Sequence, residues 1–369
     1  MKDFLKRYQL SLKILTPVHI GSGAELSKKE YIFYSESKKV LIPNQRKLFS
    51  DIQKRQLGNE FQKFMMYGSE PLLNWLETAG YQDNEIRELC SYEMDCADAL
   101  DQLNRPQGIQ SFVKDPYGMP YIPGSSLKGA LRRILLAGDI LGSPEKYRTW
   151  RQEVQGKNPF FNGRPDSRYL KREGMGVDTT CFHTLKNHKR VENALNDVLQ
   201  GLRISDSKPI AKECLTLCQK IDISVEQKKK SINILRESLK PGTEVLFDLV
   251  VDSSILKLDI RDIEAAMQVV SDFYADVYVE HFERMPRSKN EIYLGGGSGY
   301  GTKTVAYELL DPASRVKVVS NVMDIRFRKH KHRQDVQKGV SPHMLKCTRY
   351  GGKVCEMGKC QIQLSSLDD

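Results

Sequence analysis

Residues 121–133 read Tyr-Ile-Pro-Gly-Ser-Ser-Leu-Lys-Gly-Ala-Leu-Arg-Arg, and residues 293–304 read Tyr-Leu-Gly-Gly-Gly-Ser-Gly-Tyr-Gly-Thr-Lys-Thr. Each stretch sets a glycine-rich break directly after a short strand-like run, with Lys or Arg a few residues beyond it. In the first, Pro123 and Gly124 end the extended run and open a helix to about Ala137. Ser125 or Ser126 suits its N-cap, and Leu127, Leu131, Ile134 and Leu135 form its apolar stripe. Glycine lets the backbone take positive φ and pass close to a ligand. Successive N–H groups can then cradle anionic oxygens, as nests and helix N-termini do. Strand–glycine–helix units of this kind, among irregularly alternating strands and helices, point to an α+β fold rather than a doubly wound parallel sheet.

Outward from the boxes, residues 8–20 alternate like a half-buried strand and stop at a turn, Gly21-Ser22-Gly23. Residues 31–34 and 40–42 predict a hairpin. From about Asn44 to Leu103 the period becomes helical, with Leu48, Ile52, Phe61, Phe64, Leu72, Leu73, Trp75 and Leu76 as candidate core. Strands follow at 109–113 and 120–122, around the turn Asp115-Pro116-Tyr117-Gly118. Residues 138–200 predict a long, partly mobile insertion with one helix near 191–199. Strands are expected at 202–206, 212–223 and 243–252, and an amphipathic helix at 260–282.

The chain has 369 residues, enough for about two domains. A hydrophobic fraction of 40% and a net charge of +10 belong to a soluble, basic protein. No apolar run is long enough to span a membrane and the start lacks a signal-peptide core, so a cytoplasmic location is expected. Charge is uneven: residues 51–105 hold eleven Asp or Glu against five Lys or Arg, and residues 312–360 hold twelve Lys or Arg against three acids. One face toward a polyanion is implied; a lysine-rich surface serving solubility is the plainer alternative. The eight cysteines are irregularly spaced and expected to be reduced. His343, Cys347, Cys355 and Cys360 have residue types suited to zinc, but no Cys-x-x-Cys pair, and core thiols are the simpler role. No cofactor is implied.

Lys128 and Arg132 are i, i+4 on one face of the first box's helix and suit two successive phosphates; the alternative is a capped helix with a solvated basic face. The second box is a near miss for a nucleotide P-loop. Gly296 and Gly301 have the spacing, but Thr302 stands where the lysine belongs and Lys303 comes one residue late. Residues 304–307 are β-prone rather than helical. A loop packed against extended RNA backbone fits better. The run Arg326-Phe327-Arg328-Lys329-His330-Lys331-His332-Arg333 would neutralise phosphates without reading bases, either as a solvated run or as a loop that orders on RNA. His19 could be a general acid or base for metal-free RNA cleavage, with Lys28 or Lys29 stabilising developing charge; a strand-end histidine bonded to backbone is the alternative. Asp206 could bind a metal, or form an Asx turn.

LTPVHIGSG at 15–23, YIPGSSLKGALR at 121–132, RISDSKP at 203–209, LRESL at 235–239, YLGGGSGYGTKT at 293–304 and CEMGKC at 355–360 follow in that order. Together they resemble the RAMP superfamily of CRISPR-associated proteins, and within it the type III-A Csm subunit that caps the filament at the 3′ end of the guide RNA. The resemblance implies ferredoxin-like (RRM-like) modules with helical insertions. An N-terminal unit would span 1–137 (with a helical insertion at about 45–105), an insertion 138–200, and a C-terminal unit 201–369. It implies a non-catalytic subunit that binds the 3′ part of the CRISPR RNA and touches the neighbouring backbone Csm subunit and the small helical subunit. It would also influence 3′-end maturation through host trimming nucleases. RNA contacts are expected from His19, Gly21, Ser22, Gly23, Gly124, Ser125, Ser126, Lys128, Arg132, Gly295, Gly296, Gly297, Ser298, Gly299, Lys303, Arg326, Arg328 and Lys329. The backbone subunit of that family cleaves target RNA with an aspartate shortly after its His-Ile-Gly turn. Here that stretch carries Lys28 and Lys29, which argues against cleavage.

Overall fold

The computed structural model describes residues 4–99, 108–282 and 289–367, so the end of the expected helical insertion, 100–105, lies outside the described residues. In chain order the elements begin with β1 (Leu5–Ile14), β2 (Gly21–Leu26), β3 (Ile32–Tyr34) and β4 (Lys39–Pro43). Next come α1 (Gln45–Lys54), α2 (Gly58–Tyr67), α3 (Leu72–Thr78), α4 (Asp83–Glu88), β5 (Cys90–Asp95), β6 (Ile109–Phe112) and α5 (Gly124–Gly142). The middle holds α6 (Arg148–Gly156), β7 (Phe160–Phe161), β8 (Arg164–Pro165), α7 (Lys171–Phe182), β9 (Leu202–Ile204), β10 (Leu215–Ser224), β11 (Lys229–Leu239) and β12 (Glu244–Asp252). The remainder is α8 (Ile260–Val277), β13 (Glu291–Tyr293), α9 (Ala306–Leu309), α10 (Pro312–Arg326), α11 (Asp335–Lys338), β14 (Met344–Tyr350), β15 (Lys353–Glu356) and β16 (Lys359–Ser366).

The first sheet has the order β13-β16-β1-β12-β9. The path β1, α5, β9, β12, α8 and the order of these strands are those of a ferredoxin-like unit; β16, antiparallel to β1, stands where the fourth strand of such a unit lies, and β13 flanks it, running in the same direction as β1. The alternation expected for β1 places Leu10, Leu12 and Ile14 inside. Leu12 sits opposite Val245 on one side and Ile362 on the other, a cross-strand row of branched side chains. The stripes of α5 (Leu127, Leu131, Ile134, Leu135) and α8 (Ile263, Met267, Val270) close the same core. The N-terminal strand thus pairs with strands from the far end of the chain, and boundaries at 137 and 200 do not separate the pieces of this sheet.

A second sheet, β15-β14-β10-β11-β6-β2, is antiparallel except for β11 with β6, and its core meets Tyr274, Tyr278, Tyr307, Val319 and Met323. The hairpin β3–β4 forms as expected and gains β5 as a third strand. With α1–α4 it makes a small module whose own core includes Leu48, Ile52, Phe61, Phe64, Leu72, Trp75 and Leu76; Leu73 is only partly buried.

Four expectations need correction. Gly21–Gly23 is not a turn but the start of edge strand β2, whose register slips between Gly21 and Glu25. Residues 138–200 carry two helices, α6 and α7, and only short 3-10 turns near 194–201. Residues 306–309 are helical, not extended. Residues 120–122 are not a strand; Pro120 makes only an isolated bridge with Lys114. All eight cysteines are free thiols, and among the described residues no helix is long and apolar enough to cross a membrane.

Candidate nucleic-acid interface

After Ile14 the chain leaves the first sheet and crosses to the second. Val18 exchanges hydrogen bonds with Leu239, and Ile20 O accepts from the Val113 amide. Between them, the His19 carbonyl accepts from Gly296 N at 2.7 Å, so the second glycine box docks on this crossing. The loop needs its glycines for its own shape. Gly295, Gly297 and Gly299 have φ of +79°, +88° and +90°, and a Cβ on Gly295 would collide with the His19 carbonyl oxygen. Ser298 Oγ donates to Gly295 O, and Thr302 Oγ1 bridges back to Ser298, so the loop is braced from within. Among the described residues, the amides of Gly297 and Gly299 donate to no protein acceptor. Positive φ at Gly297 and Gly299, on either side of Ser298, gives the loop the backbone pattern of an anion nest.

Cations surround that nest. A Cβ on Gly297 would lie 3.1 Å from Arg236 Nη1, and one on Gly299 would lie 3.6 Å from Lys346 Cγ. Arg236 comes from β11, where Nε bonds Gln110 while the buried Nη1 has no partner. Burial lowers the Arg236 pKa; Asp222 opposes the shift. Lys346 of β14 pairs with Asp222 at 3.0 Å, and Lys220 of β10 lies 3.6 Å from the same carboxylate. Desolvation and then the Arg236 charge lower the pKa of Lys303. Lys220, Arg236 and Lys346 therefore crowd one carboxylate, with Lys303 beside Arg236, an arrangement relieved by polyanionic oxygens. Among these, only Lys303 was expected from the sequence. Lys220, Arg236 and Lys346 lie on three strands and meet only through sheet pairing. The basic run adjoins the patch: His330 stacks on His332, and burial, then His332, then Lys346 and Lys220 lower its pKa. It is folded as the end of α10 and two 3-10 turns, with Arg326, Arg328 and Lys329 exposed and Arg333 bound to Asp324 at 2.6 Å.

The first box is assembled differently. Pro123, not a serine, is its N-cap residue, and the Gly124 amide donates to Asp206 Oδ1 at 2.8 Å. A carboxylate of the same chain therefore stands where a phosphate was expected, and a Cβ on Gly124 would strike the Ile204 and Ser205 carbonyls. Ser125 is exposed and Ser126 partly so, within the first turn. Lys128 Nζ donates to Leu199 O and Leu202 O at 2.8 and 2.7 Å. Arg132 bridges Asp178 and Asp197. Both expected phosphate ligands are thus turned to acceptors inside the protein. The two boxes also lie apart: Asp206 follows β9 and the second box follows β13, at opposite edges of the five-stranded sheet. Four strand spacings make about 19 Å. Arg133, which shares no face with Lys128 and Arg132, is what joins the boxes, donating to Gly301 O, Thr304 O and Glu308.

His19 is 4% exposed. Its Nδ1 bonds the Glu237 carbonyl at 2.6 Å, and its ring fills the space left by Gly21 and Gly296. Burial lowers its pKa, so the ring is neutral near pH 7. Ser22 and Gly23 lie exposed on β2. Lys28 and Lys29 are directed at the carbonyls of Ser69, Phe64 and Met65 around the end of α2. Cys347 and Cys360 belong to different cores and Cys355 faces Thr348 across β14–β15. Of the four residues whose types suited zinc, His343 takes part in a group able to hold a metal, with His332 and Asp335.

The family model described as the RAMP superfamily matches residues 11–302. A CRISPR system Cms protein Csm5 of Mycobacterium tuberculosis (strain CDC 1551 / Oshkosh) is 28% identical over 393 residues, covering 99% of both chains. A Csm5 of Streptococcus thermophilus is 27% identical over 405 residues and covers 100% of both. A chain in the cryo-EM structure of a Csm–crRNA–target RNA ternary complex of a type III-A CRISPR-Cas system superposes with a TM-score of 0.62 at 19% identity, covering 96% of this chain and 100% of that one.

Proposed function

The chain belongs to the RAMP superfamily, and from that premise we propose that it is a Csm5-type, non-catalytic RNA-binding subunit of a type III-A CRISPR effector complex. It binds the 3′ part of the CRISPR RNA, abuts the neighbouring backbone Csm subunit and the small helical subunit, and shields the RNA end that host nucleases trim. The carrying observation is the braced loop Gly295–Gly299, with its free Gly297 and Gly299 amides beside the unpartnered Arg236 Nη1. Main-chain donors and long cations grip phosphates without reading bases. That suits an RNA whose 3′ part varies in sequence. The interface comprises Gly295–Gly299, Lys220, Arg236, Lys303 and Lys346, with Arg326, Arg328 and Lys329 at its border and the Gly21–Gly23 edge nearby.

The alternative, a metal-independent repeat endoribonuclease using His19, loses its geometry. The ring is enclosed and bonded to a carbonyl, and the lysines meant to assist it brace α2. The interface is tested with Lys303→Ala combined with Lys346→Ala, two long side chains at its rim. RNA affinity should drop, and the slope of log affinity against log salt should flatten by about 1.4, since each phosphate left without its lysine accounts for about 0.7 on single-stranded RNA. An unchanged slope sinks this assignment.

A further inference from the structure

Asp335 is fully buried, and among the described residues no Lys or Arg pairs with it. Its partners are two imidazoles and a hydroxyl. His332 Nδ1 lies 3.0 Å from Oδ2, His343 Nδ1 lies 2.5 Å from Oδ1, and Ser341 Oγ donates to Oδ2 at 2.7 Å. A buried carboxylate needs a counter-charge. Here that charge is either a protonated imidazole or a bound cation.

We infer that His332, Asp335 and His343 form a binding site for a divalent transition-metal ion of the zinc class. The three donor atoms lie within 4.8 Å of one another, a span that small side-chain shifts close around ligand bonds of about 2 Å. Two imidazoles and one carboxylate suit such ions better than magnesium or calcium, which prefer all-oxygen shells. The local chain is built to hold the set. His332 and Asp335 are three residues apart around the start of α11, Gly339 turns the chain back at φ +73°, and His343 leads into β14. Outer groups orient the ligands, as metal sites require. Ser341 fixes one carboxylate oxygen, and Ser320 Oγ holds the His332 carbonyl at 2.7 Å. On binding, each Nδ1 gives its lone pair to the ion, the ring proton resides on Nε2, and any proton of an imidazolium leaves to solvent. The ion would staple the segment joining α10 to β14 directly behind Lys346, and its presence does not depend on the RNA reading.

The test uses the full chain, stripped with EDTA and titrated with Co²⁺ by visible absorption and with Zn²⁺ by calorimetry. One ion per chain is expected, with bands of nitrogen and oxygen ligation only. Asp335→Asn and His343→Gln should each weaken binding about 100-fold. Wild type that takes up no stoichiometric ion overturns the site and leaves imidazolium as the counter-charge. So does uptake equal in wild type and both variants, or a thiolate-to-cobalt charge-transfer band. If either variant fails to fold, the wild-type cobalt stoichiometry and spectrum decide alone.

Discussion

Gly295 shows what a single missing Cβ does for this protein. Its φ of +79° and its packing against the His19 carbonyl leave no place for a side chain, so Gly295→Ala should destabilise the fold by about 2–4 kcal/mol. Gly23→Ala is the control. It has a similar φ of +88° but open space around it, and should cost only about 1 kcal/mol. Urea unfolding midpoints of the two variants measure the difference; equal losses would remove the packing argument. That residues 295–299 need an unusual backbone was legible from glycine content. That Gly295 leans on a carbonyl 276 positions earlier was not, because nothing local records a non-local contact. His19 illustrates the opposite error of emphasis: a histidine beside glycines suggests chemistry, while here the glycines make room for its ring.

At the level of elements, the first turns of α5 are satisfied from within the chain, by Asp206, Leu199, Leu202, Asp178 and Asp197. Asp206→Ala removes the acceptor for the Gly124 amide and should cost about 0.5–2 kcal/mol, read as a lower Tm. The salt dependence of RNA binding should not change; stronger RNA binding would mean that the carboxylate had been masking a phosphate site. The helical face of Lys128 and Arg132 was legible from spacing. Their acceptors Asp178, Asp197 and Leu199 lie in a region of sparse apolar residues, so the purpose of that face was not. Long periodic elements, β1, β10, β12 and α8, were readable. The helix α10 was not, since Val316, Val318, Val319 and Val322 are β-branched and spread around it. The Cys360, Ile362, Leu364 alternation of β16 was present but short.

Over the whole molecule, one ferredoxin-like unit is assembled from both ends of the chain, while the acidic helical module keeps its own core. Removing residues 359–369 takes a strand from between β1 and β13 and exposes Leu10, Leu12 and Ile14. The shortened chain should lose its cooperative thermal transition and precipitate; a folded, monomeric product would show that β16 is dispensable. The α+β class and its ferredoxin-like character were legible through ordered motifs, whereas the interleaving depends on pairings such as Leu12 with Ile362.

That pairing also sets a clock. Leu12 meets its neighbour Ile362 only after the ribosome has added about 350 further residues. At about 5–20 residues per second, that takes on the order of tens of seconds. Throughout that interval the oily side of β1 has no finished sheet to join, and an apolar strand face stays uncovered while the rest of the chain is made.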